Sequence, residues 1–170
     1  FMKNKTNWLI SLLLLPCALF AIPPGTTTKH IKIDQFGYVP LSTKIAVIVD
    51  PQVGYNAAES FSPGTGTNQY QVRRWSDDAV VYSGTLVPWK AGITHVQSGD
   101  RGWWFDFSSV VTPGSYYIYD VANSVGSYRF EIGFYVYSDV LKQAVRMFFY
   151  QRINFAKQVP FTDAKWADGA

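Results

Sequence analysis

Between Gly102 and Asp120 the chain reads GWWFDFSSVVTPGSYYIYD, and few folds can accommodate that run. Trp103, Phe105 and Phe107 alternate with Trp104, Asp106 and Ser108, the spacing of a strand with one buried face. Thr112-Pro113-Gly114-Ser115 follows with the residues of a type II turn. Proline pre-sets the backbone at its second position and glycine accepts a positive φ at its third. Tyr116 to Val121, rich in aromatic and β-branched residues, reads as the next strand. Inward rings of about 150–250 Å² each are enough to nucleate a β-sandwich. The same aromatics could serve as a sugar-stacking platform, which requires Trp103 or Trp104 in solvent. The spacing assigns Trp103 to the core and leaves Trp104 open to either use.

The flanking segments repeat this short-strand pattern. His30 to Asp34 alternates as a first strand, Phe36 to Pro40 turns the chain, and Lys44 to Val49 is a nearly continuous apolar run expected in a central strand. Gln52 to Asn68, with Gly54, Pro63, Gly64 and Gly66, reads as a long loop. Tyr70 to Trp75 and Val80 to Tyr82 form a predicted hairpin about Ser76–Ala79. Gly84 to Lys90 is an edge strand by virtue of Pro88, and Val121–Ser124 is a further turn. Gly126 to Phe134 closes the series, with Tyr128, Phe130 and Ile132 expected on one face. Seven or eight short strands within roughly 100 residues describe an immunoglobulin-like β-sandwich. The antibody variety is excluded, because no cysteine pair is available to pin it.

The period changes after Phe134. Ser138 is placed to cap a helix and Asp139 to complement its dipole. Val140, Leu141, Ala144, Val145, Phe148 and Phe149 recur at three- and four-residue spacing, with Lys142, Gln143 and Arg146 opposite and Arg152 and Lys157 toward its C-terminal end. The helix is expected to run from Ser138 to about Asn154. Its apolar stripe needs a partner larger than the residues remaining to Ala170.

The first 21 residues have the form of a secretory signal. Met2, Lys3 and Lys5 make the charged region, Trp8 to Phe20 the apolar region, and cleavage is expected after Ala21. Pro16 interrupts the apolar run, which is short for a membrane span of about 20 residues. The single cysteine, Cys17, lies in this leader, and Pro16 before it fits an acylated lipoprotein signal poorly. The exported chain therefore has no disulfide, thiol nucleophile or cysteine metal site. Nor is it basic. Without Lys3 and Lys5 it carries 13 basic against 12 acidic residues, which is no footprint for nucleic acid. No membrane association is expected once the leader is gone.

Catalytic signals are lacking. His30 and His95 have no metal-ligand spacing, no G-x-S-x-G exists, and Gly64-Thr65-Gly66 is too short to cradle phosphate. Paired carboxylates could hydrolyse glycosidic bonds. Most of the acids (Asp34, Asp50, Glu59, Asp77, Asp78, Asp100, Asp120, Glu131, Asp139, Asp163, Asp168) fall in turns or at strand ends, and only Asp106 sits mid-strand among rings. No catalytic, cofactor-binding or metal residue is assigned.

Four motifs in order carry a resemblance: IKIDQFGYVP (Ile31 to Pro40), WWFDFSSVVTPGSYYIYD (Trp103 to Asp120), FEIG (Phe130 to Gly133) and YSDVLKQAVRMFFYQR (Tyr137 to Arg152). Together they resemble glycoside hydrolase family 9, specifically bacterial cellulases with an immunoglobulin-like domain before the catalytic domain. The resemblance implies a mainly β fold, an immunoglobulin-like β-sandwich followed by one amphipathic α-helix from the start of an (α/α)6 barrel. With the signal peptide at 1–21, the chain divides into a linker at 22–28 and the sandwich at 29–134, and the resemblance makes 135–170 the N-terminal fragment of the catalytic domain. It further implies a secreted endo-β-1,4-glucanase that inverts configuration, using an Asp-Ala-Gly-Asp pair and a later Glu. None of these residues is present, and Asp168-Gly169-Ala170 is not that motif. The partners implied are the missing barrel of the same chain and, for the whole enzyme, a β-1,4-glucan; no cofactor is implied. Two other readings of the residues are a free-standing carbohydrate-binding sandwich, with Trp104, Trp75 or Trp89 as its stacking surface, and a structural adhesion module.

Overall fold

The computed structural model describes residues 24–152 and 154–169, so the expected signal at 1–21 lies outside the described residues. The strands are β1 (Ile31–Lys32), β2 (Ile45–Pro51), β3 (Tyr70–Arg74), β4 (Val80–Gly84), β5 (Val87–Pro88), β6 (Asp100–Asp106), β7 (Gly114–Asp120), β8 (Val125–Gly126) and β9 (Phe130–Ile132). One helix, α1 (Ser138–Tyr150), follows. One sheet runs β1-β2-β6-β5; the other runs β4-β3-β7-β8, with β9 also on β7. Every strand pair is antiparallel. The architecture is the expected immunoglobulin-like sandwich with a single helix.

Alternation in each sheet supplies the core. Ala46, Ile48, Phe105 and Phe107 meet Tyr70, Val72, Tyr116, Ile118, Phe130 and Ile132. Most of the core rings touch edge-on or tilted, as the aromatic quadrupole favours: Tyr70 to Phe105 at 5.6 Å and Phe107 to Phe130 at 5.5 Å between centroids, while Phe105 and Phe107 stack at 6.0 Å. Trp103 packs against this core while Trp104 points out. The long apolar run of β2 is an interior strand, yet it is buried on one face only: Ala46 and Ile48 are inside, Ile45 and Val47 outside. The β3–β4 hairpin and the edge position of β5 at Pro88 also match the sequence reading.

Two buried charges fasten loops to the sandwich. The Asp120 carboxylate is sealed from solvent and accepts from the Tyr70 hydroxyl (2.7 Å), the Gly64 amide (3.1 Å), and the Asn123 amide (3.1 Å) and side chain (2.8 Å). It thereby ties the 52–68 loop to the turn after β7. Lys44 is equally buried and donates to the carbonyls of Pro40 (2.6 Å) and Ser42 (2.9 Å), while burial holds its ammonium below the usual lysine range.

Four local expectations need correction. Thr112–Ser115 is not a type II turn: Gly114 is already extended in β7, paired with Ile132, and the reversal comes earlier, where the Val110 amide donates to the Phe107 carbonyl. The reason is tertiary, because β6 and β7 lie in different sheets and their connection crosses the sandwich. Gly126 to Phe134 is not one strand. The register on β7 slips by one residue between β8 and β9, so Phe130 and Ile132 point inward while Tyr128 is exposed. Ser138 is the first helical residue rather than a cap, and no side chain caps α1. The helix ends at Tyr150 instead of Asn154, leaving Arg152 beyond it and no basic residue in its last turn.

Candidate functional site

Most carboxylates have structural occupations. Glu59 pairs with Lys29, Asp77 with Arg74, Asp78 with Arg73, Glu131 with Arg129 and Asp163 with Arg146. Asp50 accepts from the Phe61 amide and the Gln52 side chain. Asp106 accepts from the Ser108 amide at 2.8 Å; the Ser108 hydroxyl and amide hold its pKa below the usual carboxylate value. Among the described residues Asp100, Asp139 and Asp168 have no side-chain partner, and they sit on β6, on α1 and in the C-terminal tail. Among the described residues no three of His, Cys, Asp or Glu are gathered as a metal site. His30 stacks on Phe61 at 4.8 Å, and His95 accepts from the Ser98 amide. Both imidazoles serve local structure.

Two surfaces remain. The first is the outer face of the four-stranded sheet. Register aligns Lys32, Val47, Trp104 and Val87 in one row across it, because Lys32 pairs with Val47, Val47 with Trp104, and Trp104 with Val87. All four are exposed, Trp104 by 46%. In the next row Val49 faces Gly102, which has no side chain to fill the space. The result is a hollow of about 170 Å³ bounded by Trp104, Trp89, Val49, Gly102, Asp100 and Arg101. Of the three tryptophans considered for stacking, Trp75 is engaged edge-on by Tyr117 and by the Arg129 guanidinium. Trp89 lies under Lys90 and beside His95. Trp104 has no such aromatic or cationic partner among the described residues.

The second surface is α1 itself. Leu141, Val145 and Phe148 stand 58–67% exposed, and no helical residue is buried, so the sandwich does not shelter the stripe. The residue preceding the helix links it to the sandwich, while Arg146 and Tyr150 bind the tail at Asp163 and Thr162. The Tyr137 hydroxyl donates within 2.7 Å of Asp34 Oδ2 and 2.9 Å of the Gly37 carbonyl. The Asp34 hydrogen bond, reinforced by desolvation, pushes the phenol up to about 12. Gly37 at φ +102° is required here: a Cβ on it would stand 2.4 Å from the Glu131 carbonyl oxygen. Sequence reasoning placed FGY in a turn but had no signal for its contact with Tyr137, a hundred residues away.

A family model described as the cellulase N-terminal ig-like domain matches residues 26–124, more than half of the chain. This chain belongs to that family. Solved structures agree with it. A metagenome-derived glycoside hydrolase family 9 endoglucanase is 34% identical, covering 78% of this chain and 23% of its own, with a TM-score of 0.55. Endoglucanase J30, also of family 9, is 29% identical over 73% of this chain and 20% of its own, at a TM-score of 0.53. A Bacteroides ovatus GH9 protein shares the fold at 24% identity, 83% and 22% coverage and a TM-score of 0.58. The cellulase-type immunoglobulin-like chain thus spans about a fifth of the length of these structures. A comparison with curated proteins finds no match.

Proposed function

We propose that this chain is the N-terminal part of a secreted cellulase that hydrolyses β-1,4-glucans by inversion, and that its own role is to support the catalytic barrel rather than to catalyse. The observation that carries this reading is α1. An apolar stripe of Leu141, Val145 and Phe148 stands uncovered, on a helix whose side-chain hydrogen bonds to the sandwich, among the described residues, come at its start from Tyr137. Such a stripe is stable in water when another apolar surface covers it, and the remaining helices of an (α/α)6 barrel would supply one. In this reading the sandwich ends near Phe134, residues 135–170 open the catalytic domain, and residues 1–21 direct export. The catalytic carboxylates belong to the barrel, because the acids here are mostly committed to ion pairs, turns and buried networks.

Reducing-end release from carboxymethylcellulose tests the assignment. This chain alone is expected to release none, whereas a chain continuing into an Asp-Ala-Gly-Asp segment and barrel is expected to do so with inversion at the anomeric carbon. Hydrolysis by the 170-residue chain, or its absence from the longer one, would overturn the reading.

A further inference from the structure

We propose that the outer face of the β1-β2-β6-β5 sheet is a glucan-binding groove in its own right, with Trp104 as the platform on which one pyranose ring stacks. This rests on the cellulase reading for the identity of the polymer and on the geometry for the site. The hollow beside Trp104 shares Val49 and Asp100 with a second hollow of about 250 Å³, which continues past His30 and Asn56 to Tyr55. The two hollows therefore adjoin, with an exposed indole bordering the first and a fully exposed phenol bordering the second. An extended polymer could span both, which a compact ligand could not.

The lining matches a neutral sugar chain. A β-linked glucose presents flat C–H faces and a rim of equatorial hydroxyls, so it needs an aromatic face and polar groups at the edge. Trp104 supplies the first, and Val47 beside it extends the apolar floor. The Asp100 carboxylate, with no side-chain partner among the described residues, and the Lys32 ammonium of the Trp104 row supply an acceptor and a donor for the hydroxyls. Charges of both signs on the rim, Lys32 with Asp100, favour an uncharged ligand over an acidic one. Gly102 keeps the floor open: a Cβ there would meet Trp89 Cβ at 3.9 Å and the Ile48 carbonyl at 4.0 Å, ordinary contacts, so space rather than backbone geometry is what the glycine provides.

Cellohexaose titrated into the purified chain, followed by tryptophan fluorescence and calorimetry, tests the groove. Millimolar binding is expected, weakened about tenfold or more by Trp104→Ala and abolished by Gly102→Val, with far-UV circular dichroism and melting unchanged in both. Polygalacturonate, an acidic polymer, is expected not to bind. No binding of cellohexaose at millimolar concentration, or a Trp104→Ala variant that titrates like the parent chain, would overturn the proposal. So would preference for the acidic polymer. The readout is binding, not hydrolysis, so the groove and the cellulase assignment fail separately: a chain that binds cellohexaose while its longer form cleaves no glucan keeps the first and loses the second.

Discussion

Tyr70 and Tyr117 show how single side chains set the pH range of the fold. Both are almost completely buried on β3 and β7. The Tyr70 hydroxyl donates to Asp120, and that of Tyr117 donates to Asp78. Burial, then the neighbouring carboxylate, raises the Tyr70 phenol well above its ordinary value and pushes Tyr117 up to about 12. The fold therefore favours the neutral phenols, and the stability they supply is intact below the unfolded value near 10. Above it the unfolded chain ionises first, and stability falls as pH climbs through 12, by about 1.4 kcal/mol per pH unit for each group. Urea midpoints are expected to drop steeply over that window. Tyr117→Phe is expected to flatten the drop, and a midpoint independent of pH there would contradict the assignment.

At the scale of elements, the junction between β9 and α1 controls the helix. Lacking a side-chain cap and any basic residue in its last turn, α1 gains nothing from its own ends beyond Asp139 in the first turn. The Tyr137 hydroxyl fixes its entry against Asp34 and Gly37 instead. Tyr137→Phe is expected to lower the opening free energy of the first helical turn by about 1 kcal/mol, read as faster amide exchange over residues 138–142. The sandwich should melt as before, because Asp34 still holds the Phe36 amide at 2.8 Å. Exchange that is unchanged in the helix would show that the latch does not position it.

The whole molecule combines a well-sealed sandwich with an unsealed helix. Fourteen buried residues form one continuous core between the sheets, while Leu141, Val145 and Phe148 remain in solvent. An exposed apolar stripe of this kind drives association. The isolated chain is expected to show concentration-dependent oligomers by light scattering, and Phe148→Glu is expected to shift it toward monomer without changing the sandwich's melting. A parent chain that stays monomeric at high concentration would mean that the stripe is too small to hold copies together.

Much of this was written along the chain. Alternation along 103–107 determined that Trp103, Phe105 and Phe107 face inward, whereas the outward place of Trp104 was left open by the spacing; the Ser76–Ala79 reversal marked the β3–β4 hairpin. The helical spacing after Ser138 foretold an apolar stripe with no cover. These features depend on side-chain periodicity and turn chemistry, which act over a few residues. Tertiary structure alone decided that the Pro113-Gly114 segment crosses between sheets instead of turning within one, since that follows from which distant strands β6 and β7 pair with. It also decided the one-residue slip that turns Tyr128 outward, the meeting of Tyr137 with Asp34, and the notch that Gly102 leaves opposite Val49. Local preference is strong where one face must be dry, but register and contact between remote segments are settled only when the two sheets close on a shared core.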